Sequence, residues 1–423
     1  MFLIYSIFYS IALLVLFMPE YLKRPAEIRK KWLRDKFGFF DLLRITHHSS
    51  PIWIHAVSVG EVNAAIPVLN RLKSAYPDIP VILSTITDTG QKVAGQKVPE
   101  GTHLVYLPFD LRVILKRCFE KIRPRMFIVM ETELWPNIFR VAGERNVPVI
   151  ILNGRLSEKS SKGYRRVSFF MKEVLAPVTL FCMQSPSDAD RIKSIGAEEG
   201  KVMVLGNFKF DMDISQQTPP WMKEVQGQVI VAGSTHAGEE QLIVDAYREN
   251  VYLFPGLKLI IAPRHPERFG EAEEVIRKSD MRYIKRSELG AAGGEHALKK
   301  FNIILLDTVG ELTAVYSIAD IAIMGKSIEG RGGQNPLEPA YWGKPIICGE
   351  HMENFPFIRD FYAAGAAFQV TSTGLAKKIK ELLMQPEKAK AAGERARALY
   401  LKNAGAVDRA MRIVDGFVRA SSG

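Results

Sequence analysis

W-I-H-A-V-S-V-G-E-V-N-A-A-I-P-V-L-N-R-L, residues 53–72, begins as a short apolar run and continues as an amphipathic pattern. We predict a buried strand from Trp53 to Val57, a sharp turn at residues 58–60 and then a helix. Gly60 has the backbone freedom that such a turn needs. Glu61 falls in the first helical turn, where free N–H groups and the helix dipole favour an ionised carboxylate. It is either a simple capping residue or part of a site, since open α/β sheets bind ligands at the carboxyl ends of their strands.

Short apolar runs rich in β-branched residues recur along the chain and alternate with helical patterns. This alternation is typical of parallel sheets built from βαβ units. A polar, proline-bearing segment over Gln216–Gln228 divides the runs into two groups. The candidate strands before it are Pro51–Val57, Val81–Thr85, Leu104–Leu107, Met126–Met130, Val147–Leu152 and Leu180–Met183. Those after it are Val229–Ala232, Leu257–Ala262, Ile303–Leu306, Ile321–Met324 and Pro345–Ile347.

The predicted fold class is therefore α/β, with two Rossmann-like domains that face a cleft, the architecture of GT-B type glycosyltransferases. We expect a membrane anchor over residues 1–20, an N-terminal acceptor domain over 21–215 and a C-terminal donor domain over 222–400. Residues 401–423 are expected to form a helix that packs back towards the N-terminal domain. Dehydrogenases and sugar epimerases share this architecture, so the fold alone leaves the function open. No G-x-G-x-x-G follows the first strand, which argues against a nicotinamide enzyme.

The composition narrows the class of partner. The 423 residues suit two domains, and the net charge of +11 predicts an acidic partner such as nucleic acid, anionic lipid or a phosphorylated substrate. The three cysteines, Cys118, Cys182 and Cys348, form no C-x-x-C pair, so neither a disulfide framework nor a zinc site is indicated. No H-E-x-x-H motif occurs. We therefore expect no metal and a reduced, cytosol-facing compartment.

The N-terminus predicts an attachment to the membrane. The uncharged run Phe2–Met18 has about the length of 17–25 residues that spans a bilayer. Positive charges follow it rather than precede it: Lys23, Arg24, Arg29, Lys30, Lys31, Arg34 and Lys36. This asymmetry predicts a single N-terminal anchor, rather than a core helix, with the rest of the chain in the cytoplasm and the basic helix on anionic lipid. We expect that removal of residues 1–20 spares activity on detergent-dispersed substrate.

Four turns that follow strands in the second half of the chain predict a nucleotide site. Backbone N–H groups at a helix start bind phosphate, a buried Arg264 would bind a phosphate through both of its terminal nitrogens, and Glu338 is placed to accept a ribose hydroxyl. The candidate donor-binding residues are Gly233, Ser234, Thr235, Arg264, His265, Gly310, Glu311, Gly332, Gly333, Gln334, Asn335 and Glu338.

Polar turns that follow strands in the first half predict an acceptor site around Glu61. The candidate residues are Ser58, Gly60, Thr85, Thr87, Glu131, Glu133, Arg155, Ser157 and Lys162. Alternate residues at a strand end usually point in opposite directions, so we expect at most one of Glu131 and Glu133 to face a substrate. A solvated charged face accounts for some of the basic residues near Arg155.

An N-terminal apolar segment and eight motifs follow one another along the chain: H-A-V-S-V-G-E, L-P-F-D, E-T-E-L-W-P-N, N-G-R-L-S, G-N-F-K-F-D, P-R-H-P-E-R-F, D-T-V-G-E-L and G-G-Q-N-P-L-E-P-A. In this order the chain resembles the Kdo transferases, the 3-deoxy-D-manno-octulosonic acid transferases of lipopolysaccharide biosynthesis. The resemblance implies a GT-B fold, CMP-Kdo as donor, no cofactor, and a lipid A precursor (lipid IVA) as acceptor at the cytoplasmic face of the inner membrane. It makes Glu61 the catalytic base and adds Lys209 to the acceptor-binding residues. Many relatives have His where this chain has Gln334, so a charged role at that position is not expected.

The implied reaction is an inverting displacement at the anomeric carbon of Kdo, in which Glu61 accepts the proton of the attacking hydroxyl. Since a helix N-terminus lowers the pKa of an acid, we expect Glu61 to be ionised and a weak base. Helix N-termini and basic side chains would stabilise the leaving CMP phosphate. One alternative is a GT-B enzyme with another nucleotide-sugar donor. Another is a membrane-tethered nucleic-acid-binding protein, but the chain has no array of stacking aromatic residues, so no nucleic-acid partner is expected.

Overall fold

The computed structural model describes residues 1–40, 50–212, 214, 217–289 and 298–420. Two compact units divide the chain: Met1–Asp211 together with Ala404–Gly423, and Met212–Asn403. Residues 215 and 421–423 of the predicted domain ranges lie outside the described residues. Each unit contains one seven-stranded sheet in which all paired strands are parallel.

The first unit begins with two helices and then alternates strands with helices. Its helices are α1 (Phe2–Leu22), α2 (Ala26–Lys36), α3 (Val59–Ala75), α4 (Asp88–Lys97), α5 (Arg112–Ile122), α6 (Pro136–Glu144), α7 (Glu158–Arg165), α8 (Ser168–Leu175) and α9 (Pro186–Ser194). Its strands are β1 (Ile52–His55), β2 (Val81–Thr85), β3 (Thr102–Tyr106), β4 (Met126–Met130), β5 (Val149–Gly154), β6 (Val178–Met183) and β7 (Val202–Val204). They lie in the order β3-β2-β1-β4-β5-β6-β7, so the succession of strands reverses between β1 and β4.

The second unit has the same plan. Its strands are β8 (Val229–Thr235), β9 (Lys258–Pro263), β10 (Tyr283–Lys285), β11 (Ile303–Leu305), β12 (Ile321–Met324), β13 (Ile346–Cys348) and β14 (Ala367–Gln369). Its helices are α10 (Glu239–Val251), α11 (Phe269–Lys278), α12 (Leu312–Val315), α13 (Leu337–Tyr341), α14 (Ile358–Ala363), α15 (Leu375–Met384) and α16 (Pro386–Asn403). The order β10-β11-β9-β8-β12-β13-β14 reverses between β8 and β12.

The two parallel sheets confirm the predicted α/β class, but three strands were not predicted. These are β7, β10 and β14, and each has three residues and forms an edge of its sheet. An edge strand has only one neighbouring strand and is partly exposed, so its sequence does not need the apolar run that marks a central strand.

The last helix, α17 (Ala406–Ala420), belongs to the first unit. Its apolar residues recur at helical spacing and join the buried core cluster that α3 covers. The turn before α17 is held by the Asp211 carboxylate, which accepts the Val407 N–H at 2.6 Å. Arg71 of α3 also pairs with Asp408 at 2.9 Å. The C-terminal helix is thus part of the N-terminal fold.

Helix α1 has two different faces. By length and composition it is apolar enough to cross a membrane, and its outer face exposes large residues, with Leu14 80% exposed. Its other face packs on the first unit, where the Tyr5 hydroxyl donates to Asp110 at 2.8 Å and the Asn137 amide donates to Ser6 Oγ at 3.0 Å. Helix α1 can therefore cross a membrane by length and composition, and it is also hydrogen-bonded into the first unit.

Asp110 of the L-P-F-D motif makes this junction. Its carboxylate accepts the backbone N–H groups of Asn137 at 3.1 Å and Ile138 at 2.9 Å, at the start of α6, in addition to the Tyr5 hydroxyl. Burial raises the pKa of Asp110 to about 6, although these donors lower it. One buried carboxylate thus connects α1, the end of β3 and the start of α6.

Candidate active site

Glu61 lies where the strand order of the first sheet reverses. Strand β1 pairs with β2 on one side and with β4 on the other, and α3 starts at Val59, shortly after β1. The Glu61 side chain is buried, its Oε2 accepts the Val57 N–H at 2.7 Å, and its Oε1 accepts the Ser58 hydroxyl at 3.2 Å. The turn before α3 therefore holds this carboxylate in one orientation.

The prediction that the turn itself requires a glycine is wrong. Gly60 lies inside α3 and has no left-handed backbone. A Cβ added at this position would lie 3.8 Å from Ser58 Oγ, which is ordinary contact. Because Gly60 is exposed, its missing side chain leaves the protein surface beside Glu61 open instead of relieving strain.

The pKa of Glu61 is shifted in the direction opposite to the one expected from the sequence. It is raised from 4.5 to about 7, chiefly by burial and also by the charges of Glu133 and Glu131, against hydrogen bonds from Val57 and Ser58 that lower it. The helix N-terminus does not prevail because the carboxylate is desolvated and lies near two like charges. Glu61 is thus a carboxylate that ionises near neutral pH, which suits a general base.

The negative charges of Glu131 and Glu133 both raise the pKa of Glu61, and the expectation that at most one of them faces a substrate stays a prediction. Glu131 has a left-handed backbone, with φ of 56°, and this interrupts the alternation of side chains at the end of β4. Burial raises the pKa of both carboxyls; Lys209 and Arg155 oppose the rise at Glu131, and Glu131 adds to it at Glu133. The three carboxylates and two basic residues form one charged cluster.

The remaining predicted acceptor residues have structural partners. The Thr85 hydroxyl donates to Gln91 at 2.7 Å, and Thr87 caps α4 while donating to the Val57 carbonyl at 3.1 Å. Ser157 caps α7. Lys162 pairs with Glu158 at 2.6 Å, with both side chains more than 60% exposed. Of these, Thr87 is bonded to the turn that carries Glu61, whereas Lys162 is part of a solvated charged face.

In the second unit, one N–H group of the turn after β8, that of His236, is bound by a carboxylate of the chain. Helix α10 begins at Glu239, and this buried carboxylate accepts four backbone N–H groups. The donors are His236 at 3.0 Å, Lys326 at 2.6 Å, Ser327 at 2.9 Å and Ile328 at 3.0 Å. One carboxylate thus joins the turn after β8 to the turn after β12, in which three of the four donors lie. Sequence reasoning missed Glu239, although an acid at a helix start is the signal of such a role.

Two neighbouring residues of this turn are conformationally restricted. Ser234 has a left-handed backbone, with φ of 56°, and a Cβ at Gly233 would collide with the hydroxyl of Tyr316. Thr235 is buried and donates to Glu240 at 2.8 Å. The backbone of this predicted donor segment is therefore tightly fixed.

Arg264 is exposed, so the prediction of a buried arginine is wrong at this position. The partly buried arginine of this segment is Arg268, which binds Glu240 through two nitrogens at 2.8 and 3.1 Å. The charge of Arg264 lowers the pKa of the Glu338 carboxyl, which burial raises. His265 is half exposed and packs edge-on against His236 at 5.5 Å between ring centroids.

Glu311 lines an open cavity of about 520 Å³ in the second unit. Gly310, Glu311, Thr313 and Arg286 line it, and Thr313 donates to Glu338 at 2.9 Å. Glu311 is itself held by Arg286 at 2.9 Å and Thr308 at 2.5 Å. Burial works to raise the pKa of Glu311, but these donors lower it. Glu311 thus shapes the cavity rather than offering a free carboxylate.

The glycine-rich segment before α13 has the unusual backbone that its sequence predicts. Gly332 and Gly333 have φ of 105° and 72°, and side chains there would collide with Asn354 and Met352. Asn335 Oδ1 accepts the Leu337 N–H at 3.2 Å, and Gln334 is half-buried. The described residues contain no group of three or more His, Cys, Asp or Glu side chains arranged to hold a metal ion.

Comparison with known proteins identifies the family. A family model described as 3-deoxy-D-manno-octulosonic-acid transferase (kdotransferase) matches residues 31–212. The chain is 31% identical to the 3-deoxy-D-manno-octulosonic acid transferase of Haemophilus influenzae over 96% of this chain and 94% of that protein. It is 30% identical to the transferase of the same description from Bordetella pertussis, over 88% of each chain.

A solved glycosyltransferase from Rickettsia africae ESF-5 is similar in fold, with a TM-score of 0.55 over 88% of this chain and 99% of that chain at 14% identity. This likeness and the two parallel sheets confirm the expected GT-B type of fold. Because the Haemophilus relative is matched over nearly its whole length, the chain belongs to the family of 3-deoxy-D-manno-octulosonic acid (Kdo) transferases.

Proposed function

We propose that this protein transfers Kdo from CMP-Kdo to the lipid A precursor lipid IVA, with inversion at the anomeric carbon and with Glu61 as the general base. The observation that carries the proposal is the buried Glu61 carboxylate, whose pKa of about 7 lies near the working pH. At that pKa a carboxylate is a stronger base than an ordinary one and is about half ionised in neutral solution.

Inversion follows from the assigned role. The attacking sugar hydroxyl loses its proton to Glu61 while its oxygen bonds to the anomeric carbon from the side opposite to CMP. A single displacement of this kind needs one base and no covalent sugar–enzyme intermediate. The negative charges of Glu131 and Glu133 help to keep the pKa of Glu61 high. The positive charges of Lys209 and Arg155 oppose the negative charge of the cluster.

For the donor we propose the second unit, around the cavity lined by Gly310 and Thr313. Glu338 would accept a ribose hydroxyl, and the exposed Arg264 next to it would bind the phosphate of CMP. The glycines at 332 and 333 let a ligand approach the backbone closely. Since no metal-binding group occurs among the described residues, we assign the stabilisation of the leaving phosphate to such side chains and to backbone N–H groups.

For location we propose the cytoplasmic face of the inner membrane. The exposed apolar face of α1 provides the attachment, and the basic residues that follow it favour an anionic lipid surface. CMP-Kdo and lipid IVA, together with this surface, are the proposed partners.

The test is product analysis with purified protein, CMP-Kdo and detergent-dispersed lipid IVA. Mass spectrometry should find the acceptor increased by Kdo, and NMR of the product should give the anomeric configuration opposite to that of the donor. E61Q should lower the rate by about 10²–10⁴-fold, while E158Q, at an exposed carboxylate, should not change it. Turnover by E61Q at the wild-type rate would refute the role of Glu61, and a product formed only from a UDP- or ADP-sugar would refute the donor.

A further inference from the structure

An apolar cavity of about 230 Å³ lies inside the first unit, between α1 and the sheet. Leu13 and Phe17 of α1 form one wall, and Trp32 of α2 together with Phe109 and Trp135 forms the others. Its charged lining residues are Glu20, Arg24 and Lys36. The cavity is therefore mostly apolar, with its charges at one side.

Lys36 is the unusual member of this lining. It is 7% exposed, and its ammonium makes no hydrogen bond or ion pair within the part of the chain that the structure describes. The neighbouring carboxylates are engaged: Asp35 by Lys31 at 2.7 Å and by the Tyr106 N–H at 3.0 Å.

Arg24 takes the remaining two carboxylates. It lies 3.1 Å from Glu20 and 3.2 Å from Asp88. Lys36 is left with the faces of Trp32 and Phe109, at 5.9 and 5.4 Å from their ring centroids. Burial lowers the pKa of Lys36 to about 7, and Arg24 lowers it too, against Asp35, Asp88 and Glu20. Within the described residues the buried Lys36 ammonium therefore has no anionic partner, which is unfavourable for a charged group.

Two of the residues that line the cavity, Trp32 and Trp135, also have hydrogen-bond donors that are unsatisfied within the described part of the chain. The indole N–H groups of Trp32 and Trp135 are buried and have no hydrogen-bond partner among the described residues. The Lys36 ammonium and the two indole N–H groups can donate hydrogen bonds but cannot accept them. A matching ligand therefore presents hydrogen-bond acceptors or a negative charge, and it carries an apolar part that fills the remaining walls.

The cavity adjoins the Glu61 cluster. Ile86 lines it, and the N–H groups of Ile86 and Thr87 donate to the Val57 carbonyl. The N–H of Val57 in turn donates to Glu61. On the other side, Trp135 lies two residues after Glu133 in the same turn. The cavity is thus connected through the Val57 backbone to the turn that carries Glu61.

We infer that this cavity is the subsite for one phosphoryl group and one acyl chain of the acceptor, a phosphorylated and acylated glycolipid. The inference rests on the proposed function, since it assigns the lipid acceptor to this site. The phosphate binds Lys36, which restores a partner to the buried ammonium. The acyl chain lies between Leu13, Phe17 and Phe109, so α1 contributes directly to substrate binding.

Two matched pairs of variants test the two halves of the subsite. K36M removes the buried charge and K92M an exposed one on α4. L13W fills the cavity, whereas L14W adds the same volume on the outer face of α1, where Leu14 is 80% exposed. Kinetics are measured in detergent with three acceptors: the full lipid, the lipid without phosphates and the lipid without acyl chains. Thermal unfolding of each variant verifies folding.

With the full lipid, K36M should raise the acceptor KM by roughly tenfold to a hundredfold, the effect of one hydrogen bond to a charged group. It should not change the KM for CMP-Kdo or for the lipid without phosphates. L13W should raise the KM for both acylated acceptors and leave that of the deacylated one unchanged. K92M and L14W should match the wild type.

Three results would overturn the assignment. An unchanged acceptor KM in K36M and L13W, with wild-type activity intact, would show that the cavity binds no acceptor. An equal effect of K36M on phosphorylated and dephosphorylated lipid would make Lys36 a structural residue. Competitive inhibition by phosphatidylglycerol vesicles that disappears in K36M would assign the cavity to bulk phospholipid. Absence of any transfer by the wild type is a separate outcome, which would refute the proposed function and the subsite with it.

Discussion

The pKa of Glu61 predicts a steep dependence of the proposed reaction on pH. A general base acts only when it is ionised, and with a pKa of about 7 only about one tenth of Glu61 is ionised at pH 6. A carboxyl with the ordinary value of 4.5 would be almost fully ionised there. We therefore expect kcat/KM to fall about tenfold for each pH unit below pH 7.

E133Q should shift the acidic limb of the pH–rate profile to lower pH. Since the charge of Glu133 is one of the causes that raise the pKa of Glu61, its removal lowers that pKa, and the variant keeps a larger fraction of its plateau rate at pH 6. E158Q is the matched control, because Glu158 pairs with Lys162 at the surface. Its profile should coincide with that of the wild type.

The assay is kcat/KM for CMP-Kdo between pH 5 and 8.5 at saturating lipid acceptor. Saturation matters because Lys36, whose pKa also lies near 7, would otherwise change acceptor binding over the same range. A flat wild-type profile down to pH 5 would refute the raised pKa of Glu61. A limb at the same pH in E133Q and the wild type would refute the electrostatic coupling between the two carboxylates.

Three further predictions concern stability. Glu61 has a folded pKa of about 7 against 4.5, so the stabilisation by its bound proton is complete below about pH 4.5 and is lost as the pH rises through 7, a change of about 3 kcal/mol. E61Q should therefore raise the melting temperature at pH 8 but not at pH 4.5, and an equal effect at both would contradict this. E239A should lower the free energy of unfolding by about 3 kcal/mol or more, because it leaves buried N–H groups unpaired; the exposed E249A on the same helix is the control, and equal denaturant midpoints would contradict the role. Deletion of residues 1–20 should lower stability and activity even in detergent, since it removes the Tyr5–Asp110 hydrogen bond and one wall of the cavity, and full activity of that variant would support the view of α1 as a separate anchor.

The position of Glu61 could be predicted from the sequence, whereas its chemistry could not. An apolar run followed by an amphipathic pattern determines where β1 ends and α3 begins, and local sequence therefore places Glu61 at a strand end. Its pKa depends on burial and on Glu131 and Glu133, which belong to the end of a different strand. Only the tertiary fold brings these carboxylates together, and the left-handed backbone of Glu131 breaks the alternation on which the sequence argument relied.

The sequence also does not show which partner a backbone N–H group binds in the folded protein. The turn after β8 has the glycine and hydroxyl residues of a phosphate-binding turn, but Glu239 binds the N–H of His236 in that turn and three N–H groups in the turn after β12. A sequence pattern shows that such groups converge and does not show whether a ligand or a side chain satisfies them. The hydropathy of α1 is ambiguous in the same way, because it is compatible with a spanning helix and with one that packs on a domain on one side only.

Glu61 and Lys36 both lower the stability of the folded protein near neutral pH, and this shared property connects the two halves of the acceptor site. Each is buried, and burial shifts each pKa towards the neutral form of its side chain, upward for the acid and downward for the base. Both residues thus cost stability near neutral pH, and hydrophobic residues of similar size would pack in their places without that cost. Their retention is explained if each meets its counterpart only when the acceptor binds, since the hydroxyl brings a proton for Glu61 and the phosphate brings a negative charge for Lys36. A lipid acceptor that carries both groups would relieve both costs at once, which favours its binding over that of a simple phospholipid with no hydroxyl at the carboxylate cluster.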